Sequence, residues 1–412
     1  MARTLNAYYD RELVGQLVQD DGGQMTFQYD PSWFGSPEPI ALSWSLPLQE
    51  EPFTQKECRG FFGGILPEED NRKVIARILG ISDKNDFAML EQIGGECAGA
   101  ISFLPEDTVI PEDDDRYRDL TGEELARILR ELPRRPLMAG EDGIRLSLAG
   151  AQHKIAVRLD DGKISIPRGS APSSHVLKPA IDNYEGVVFN EAFCMELANA
   201  CDLNAASAEV GIVEDIDYLL VERYDRIRGE DENIQRLHQE DFCQALGIPS
   251  EIKYQSEGGP SLADCFKLIR NASSAPAPDL IALLDAVIFN LLIGNHDAHA
   301  KNFSLLYMPD RSIRLAPLYD LVSTVFYPEL IDRMAMKIGK QPKSSLIYPK
   351  DFDRFAADAG LGVAAARARI PALADRLLEE IPGIDTPHPI SESVASLISE
   401  RCKDYQTRFS RK

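Results

Sequence analysis

The sequence predicts an α+β fold with a β-rich N-terminal subdomain, then a small β-rich lobe, then a larger helical lobe. Three observations carry this. The first thirty residues read as short strands broken by turn residues. Period-two segments resume near residue 145, after an acidic stretch and a helix. Beyond residue 226 the apolar positions fall mainly at helical spacing. A chain of 412 residues is too long for one ordinary core, and 44% apolar content suffices to build more than one.

The elements follow in order. Residues 5 to 29, LNAYYDRELVGQLVQDDGGQMTFQY, form a meander with turns at Asp-Arg and Asp-Asp-Gly-Gly. Helices are expected at about 66 to 79 and 85 to 93, and the strand AGAISFLP closes the segment. Residues 105 to 120 are acidic and turn-rich, a linker. The helix TGEELARILREL starts at a Thr121 cap with Glu124 three residues on. HKIAVRL, the turn DDG and KISIP make a hairpin, and SHVLKPA is a further strand. A helix, VVFNEAFCMELANAC, precedes a second hairpin, AEVGIVEDIDYLLVERYD. The rest reads as helical: HQEDFCQALG, SLADCFKLIRNA, DLIALLDAVIFNLLIG and 351 to 409. Three domains are expected: 1–107, 108–225 and 226–412.

Composition excludes several classes. A net charge of -22 disfavours unaided binding to nucleic acid. Seven cysteines, an odd number without a Cys-x-x-Cys pair, read as buried thiols of a cytoplasmic protein. The N-terminus lacks an apolar signal core, and no apolar run reaches the length of a membrane span, so no membrane association is expected.

The chemistry concentrates in LIGNHDAHAKNFSLL, residues 292 to 306. A zinc hydrolase needs two histidines four apart on one helix face. His296 and His299 are three apart, and Gly294-Asn295 breaks the helix before them. Phosphoryl transfer fits better. Asp297 and Asn302 have the Asp-x4-Asn spacing in which the Asp takes a proton from the attacking hydroxyl and the Asn binds Mg²⁺. Asp320, after a short strand in RLAPLYDLVS, is the second candidate metal carboxylate. Lys178, in the strand HVLKP, is placed for the α- and β-phosphates. No Gly-x-Gly-x-x-Gly or Walker-type loop occurs. Instead RLSLAGAQHK precedes the first hairpin strand, and its small residues Ala149, Gly150 and Ala151 let backbone N–H groups approach phosphates, with Lys154 adding charge. A simple turn entering a hairpin explains that stretch as well. LLVERYDR ends the second hairpin, where backbone near Glu222 and Tyr224 would contact adenine. A small β-rich lobe before a larger helical one is also the coarse layout of a kinase.

Taken together, SLAGAQHK, HVLKP, VERYDR, RLHQEDFCQALG, GNHDAHAKNFSLL and LAPLYDLVS resemble the HipA family of serine/threonine kinase toxins. LVGQL, FQYDPSW, SLPLQ and FFGGILPE are similar to that family's N-terminal subdomain. The resemblance implies a two-lobed protein/lipid-kinase-like fold, with ATP and Mg²⁺ as cofactors. It implies a HipB-type helix-turn-helix antitoxin as partner, operator DNA reached mainly through it, and glutamyl-tRNA synthetase as a family substrate. Carried over by position, Asp297 is the catalytic base, and Asn302 and Asp320 hold Mg²⁺. Ala149, Gly150, Ala151, Gln152, His153 and Lys154 form the phosphate loop, and Lys178 binds phosphate. Glu222, Arg223 and Tyr224 line adenine. His299, Ala300, Lys301, Asn302, Tyr319 and Asp320 complete the nucleotide contacts, and Ser147 is the autophosphorylated serine. Two rival readings stay open: a catalytically silent co-repressor acting through a DNA-binding antitoxin, and a small-molecule kinase.

Overall fold

The computed structural model describes residues 2–36, 39–106, 116–181, 183–229, 233–386 and 388–410. The boundary expected at 107/108, and most of the linker around it, lie outside the described residues. The chain forms two compact units.

The first unit takes Met1–Pro179, Gly211–Glu251 and Leu306–Arg311. Strands β1 (Arg3–Tyr9), β2 (Glu12–Gln19) and β3 (Met25–Tyr29) form the expected antiparallel meander, and β4 (Ile101–Pro105) pairs with β1. Along β3, Met25, Phe27 and Tyr29 are buried while Thr26 and Gln28 face water, the period-two signature of a half-buried sheet. After β3 and a one-turn helix at Pro31–Phe34 come three longer helices: α1 (Gln55–Gly64), α2 (Glu69–Leu79) and α3 (Asp86–Ile93). The expectations at 66 to 79 and 85 to 93 correspond to α2 and α3. No helix is expected at α1, whose three glycines lower helix propensity. Packing overrides that. A Cβ on Gly60 would lie 2.4 Å from the Gly247 carbonyl carbon, and one on Gly64 2.5 Å from Gln244 Cγ.

The small lobe belongs to the same unit, apart from residues 208–210, which fall in the second. It contains β5 (Tyr117–Asp119), α4 (Gly122–Glu131), β6 (Ile155–Asp160), β7 (Lys163–Pro167), β8 (His175–Pro179), β9 (Ala208–Val213) and β10 (Ile216–Glu222). The sheet order is β5-β7-β6-β8-β10-β9. Thr121 and Glu124 form the expected capping box of α4. One hydrophobic core runs from the N-terminal sheet (Leu5, Phe27, Phe103) through Leu146 and Leu148 to the small lobe (Ile155, Val157, Leu177, Leu220).

The sequence reading makes 226 onward mainly helical. The structure instead has a hairpin of β11 (Arg226–Arg228) and β12 (Ile234–Arg236), then β13 (His238–Asp241) before one helical turn at Phe242–Ala245. Apolar periodicity missed them because their inward residues are polar. Arg226, Arg236, His238 and Glu240 are all buried.

The second unit takes Ala180–Val210, Ile252–Leu305 and Ser312–Lys412. It contains α5 (Val187–Ala200), α6 (Leu262–Ala272), α7 (Pro276–Ile293), α8 (Pro349–Asp358), α9 (Val363–Glu380) and α10 (Pro389–Ser410). The expectation that no apolar run reaches the length of a membrane span needs correction: among the described residues α7 is the one helix long and apolar enough to cross a membrane, and 61% of it is buried as the core helix of this unit.

Candidate active site

The candidate catalytic stretch begins where α7 stops. Gly294 adopts φ 77° and ends the helix in the left-handed conformation. Its Cα hydrogens are needed: a Cβ would lie 2.4 Å from Val325 Cγ2. Arg401, from α10, donates to the terminal carbonyls of Leu291 (2.7 Å) and Leu292 (3.0 Å), a cation placed at the negative end of the helix. Asn290 and Asn295 then set the loop. Asn295 Nδ2 donates to Asn290 Oδ1 at 2.8 Å, and Asn295 Oδ1 accepts the Asp297 N–H at 3.0 Å. His296 turns inward, its N–H bonded to Thr324 Oγ1 at 2.7 Å and its Nε2 2.7 Å from Ser344 Oγ. That ring is a buried structural group, engaged away from His299.

Asp297 is exposed. Its Oδ1 accepts the Tyr254 hydroxyl at 2.9 Å. The His299 N–H donates to the Asp297 carbonyl at 2.7 Å, and the His299 ring meets the Tyr254 ring edge-on at 5.4 Å. Ala300, Lys301 and Asn302 form one 3-10 turn, all buried. Asn302 Nδ2 donates to Asp320 Oδ2 at 3.0 Å. That bond aims the other amide atom, Asn302 Oδ1, which is buried and has no hydrogen-bond partner. Asp320 sits at φ 59°, a conformation that costs a non-glycine residue energy and gathers at functional sites. Tyr319 supports the loop: its hydroxyl donates to the Lys301 carbonyl at 2.6 Å and lies 2.8 Å from Ser304 Oγ.

The other expected contacts lie in the first unit. Gly150 has φ 105°, which only glycine adopts readily. Lys154 Nζ folds back to the Ala149 carbonyl at 2.6 Å. Asn71 Nδ2 donates to the Ala151 carbonyl at 2.7 Å, and Gly150 bridges Pro67. Ala151 is exposed, and Gln152 and His153 are half-buried; burial pushes the His153 pKa down. Ser147 is fully buried. Its hydroxyl donates to the Ile65 carbonyl at 3.1 Å and its N–H to the Glu96 carbonyl at 2.8 Å. Lys178 is buried on β8, opposite Leu219 of β10.

Residues 222 to 224 divide. Glu222 is exposed at the end of β10, opposite His175. The Tyr224 hydroxyl bonds Gln239 Oε1. The Arg223 side chain is wholly engaged in the interior, with Glu96 Oε1 (2.9 Å), Asp225 and the Cys97 carbonyl, and its N–H goes to the Ser174 carbonyl. The Arg223 carbonyl also accepts the Arg226 N–H at 3.1 Å, so only the second lone pair of that carbonyl is left to meet a nucleotide. Sequence reasoning missed Tyr254, Asn290 and Glu96 altogether. Tyr254 lies 43 residues from its partner in a segment with no motif, so no spacing could signal it.

Residues 146–381 match the HipA-like C-terminal domain, and residues 5–104 match the HipA N-terminal domain. Y4mE of Sinorhizobium fredii, a protein assigned as a kinase, is 48% identical over 383 residues, covering 92% of this chain and 91% of that one. The serine/threonine-protein kinase toxin HipA of Shewanella oneidensis is 28% identical, covering 98% and 96%. The crystal structure of Shewanella oneidensis HipA with HipB and its operator DNA superposes with a TM-score of 0.86 over 99% of this chain and 97% of that one. With both domains matched and a fold shared along nearly its full length, the chain belongs to the HipA family of serine/threonine kinases.

Proposed function

We propose that the chain transfers the γ-phosphoryl group of Mg-ATP to serine or threonine hydroxyls of a protein, as the toxin of a HipA/HipB-type pair in the cytoplasm. The observation that supports this most is the arrangement at Asn302. Its Nδ2 is committed to Asp320, leaving a buried carbonyl oxygen without a partner. An amide oxygen beside a carboxylate is the hard oxygen set that Mg²⁺ takes alongside phosphate oxygens and water. The ion would neutralise charge on the β- and γ-phosphates.

In this reading Asn302 and Asp320 hold Mg²⁺, and Ala149 to Lys154 with Lys178 bind the phosphates. Glu222 to Tyr224 meet adenine through the backbone, and His299 to Lys301 with Tyr319 complete the nucleotide contacts. Asp297 accepts the proton of the acceptor hydroxyl. The acceptor oxygen forms a bond to γ-phosphorus, the bond to the β–γ bridging oxygen breaks, and ADP leaves with that electron pair. Ser147 is a second acceptor, within the chain itself. The resemblance points to an aminoacyl-tRNA synthetase, such as glutamyl-tRNA synthetase, as the protein acceptor. A HipB-type antitoxin would carry the contact with operator DNA, since a chain of net charge -22 is poorly suited to make it alone. The deciding experiment is a phosphoproteome of cells expressing the chain or its Asp297→Asn variant. New phosphoserine or phosphothreonine sites with the unmodified chain alone support the reading. Identical phosphoproteomes with ATP consumed in both would overturn it.

A further inference from the structure

The proposed base already holds a hydroxyl. Tyr254 donates its phenol O–H to Asp297 Oδ1 at 2.9 Å. An acceptor hydroxyl activated by Asp297 must come within about 2.6–3.2 Å of the same carboxylate. The phenol therefore stands where the serine or threonine O–H of a substrate would stand.

This contact is built into the fold. The Ala335 N–H donates to the His296 carbonyl at 2.7 Å, and the Ala335 carbonyl accepts the Gln255 N–H at 3.2 Å. Gln255 Oε1 in turn accepts the Lys337 N–H at 2.7 Å. The residue before Asp297 and the residue after Tyr254 are thus tied to one backbone position. The far side is closed by a tight turn: the Gly259 N–H returns to the Tyr254 carbonyl at 3.0 Å, and a Cβ on Gly259 would lie 2.2 Å from the Ile252 carbonyl oxygen. The His299 ring, edge-on at 5.4 Å, limits the swing of the phenol on the side of the catalytic turn. Yet Tyr254 is only half-buried and Asp297 is exposed, so a protein docking on residues 252 to 259 could draw the ring away.

We infer that Tyr254 is an acceptor-site gate, its phenol occupying the acceptor hydroxyl's place on Asp297 until a protein substrate displaces it. The inference rests on Asp297 being the base. The bond has a second effect. A donor to a carboxylate favours its charged form and makes it a weaker base, so the gated enzyme is restrained towards any acceptor small enough to enter, water included. Displacement by the docking protein then couples recognition to chemistry.

Water as acceptor supplies a test that needs no known substrate. Phosphate release from Mg-ATP is measured for the full-length chain and for Tyr254→Phe, Asp297→Asn and the double variant. Tyr254→Phe should hydrolyse ATP about fivefold faster, the worth of one net hydrogen bond, with an unchanged KM for ATP. The acid limb of its pH profile should move upward, which a merely structural role for the hydroxyl would not produce. Hydrolysis that is equal or slower in Tyr254→Phe, with the fold intact by circular dichroism, overturns the gate. If the variant is faster and the double variant keeps that gain, Asp297 is not the base and the gate falls with it. If only the double variant loses the gain, both stand.

Discussion

Phosphorylation of Ser147 should expel the stretch that carries it. The Ser147 side chain is fully buried, its hydroxyl 3.1 Å from the Ile65 carbonyl oxygen. A phosphoryl group there would place about -1.5 to -2 charge against a carbonyl oxygen in the protein interior. Backbone and side-chain hydrogen bonds and two buried leucines, Leu146 and Leu148, hold the stretch down. The Glu96 N–H bonds the Arg145 carbonyl, the Ser147 N–H bonds the Glu96 carbonyl, the Ser147 hydroxyl bonds Ile65, and Asn71 bonds the Ala151 carbonyl. With the Glu68 N–H on the Gly150 carbonyl as a fifth, these bonds amount to about 5 kcal/mol at about 1 kcal/mol each, and burial of Leu146 and Leu148 adds about 1.5–3 kcal/mol each. Burying an unpaired charge costs several kcal/mol per charge, so a dianion opposes the whole of that docking energy, and release of the Ser147 end should lower nucleotide affinity at least about tenfold. Arg145 marks the hinge, because its guanidinium stays bonded to the carbonyls of Glu91 and Phe103 at 2.8 and 2.9 Å. The assay is calorimetric titration of a non-hydrolysable ATP analogue into the phosphorylated and phosphatase-treated chain, with Ser147→Ala as control. The control should bind nucleotide and fail to self-inactivate. Equal affinity in the two forms, with phosphate confirmed on Ser147 by mass spectrometry, would refute the reasoning.

Asp297→Asn should keep nucleotide binding and lose at least ~10²-fold in transfer, the lower end of general-base catalysis; radiolabel transfer to Ser147 measures it. Asp320→Ala should weaken binding of Mg-ATP more than binding of metal-free ATP, because its partner is the cation; parallel titrations with Mg²⁺ and with EDTA check the difference. Burial pushes the Glu240 pKa up to about 7, against donors from Ser43, Tyr307 and the Trp44 N–H. An acid raised on folding binds more protons in the native state between its unfolded value and 7, so its contribution to stability falls as pH rises through that window. Glu240→Gln should therefore gain stability relative to the unmodified chain as pH rises from about 4.5 to 7; urea titrations at stepped pH would show it, and a difference independent of pH would remove Glu240 as the cause.

The legible parts of this fold were those whose chemistry is local. The Thr121 box, the hairpin at Asp161-Gly162 and the break at Gly294 each follow from a few adjacent residues, and α7 follows from one long apolar run. The candidate catalytic turn could be proposed from sequence for the same reason, since Asp297 and Asn302 lie within one short loop. What stayed hidden was set by distant partners. Three glycines in α1 look like helix breakers until Gly247 and Gln244 are packed against two of them. The hairpin of β11 and β12 carries arginines where a core strand would carry valines, because a carboxylate more than a hundred residues earlier receives them. The resemblance places Arg223 against adenine, yet its guanidinium lies wholly inside.

That carboxylate, Glu96, explains why the N-terminal subdomain cannot be a mere appendage. Its backbone pairs with Arg145 and Ser147 and so sets the register of the phosphate stretch. Its side chain takes Ser173, Arg223, Arg226 and Arg236. One residue thus aligns both segments proposed to meet ATP in the first unit, the stretch at 147 to 154 and the segment at 222 to 224. Burial pushes the Glu96 pKa up, but the guanidinium groups of Arg226, Arg236 and Arg223 outweigh it and hold the carboxyl well below the usual carboxylate range. The arginines thus favour the charged form of this buried carboxylate, whereas burial favours the protonated form of Glu240. Removing one partner of such a buried set leaves the others uncompensated, at a cost of about 3–5 kcal/mol. An ionic anchor of this kind fixes the register of the backbone that the 145–147 stretch pairs with. If phosphate on Ser147 releases the loop as predicted above, the arginines would keep the Glu96 backbone in place to receive it again.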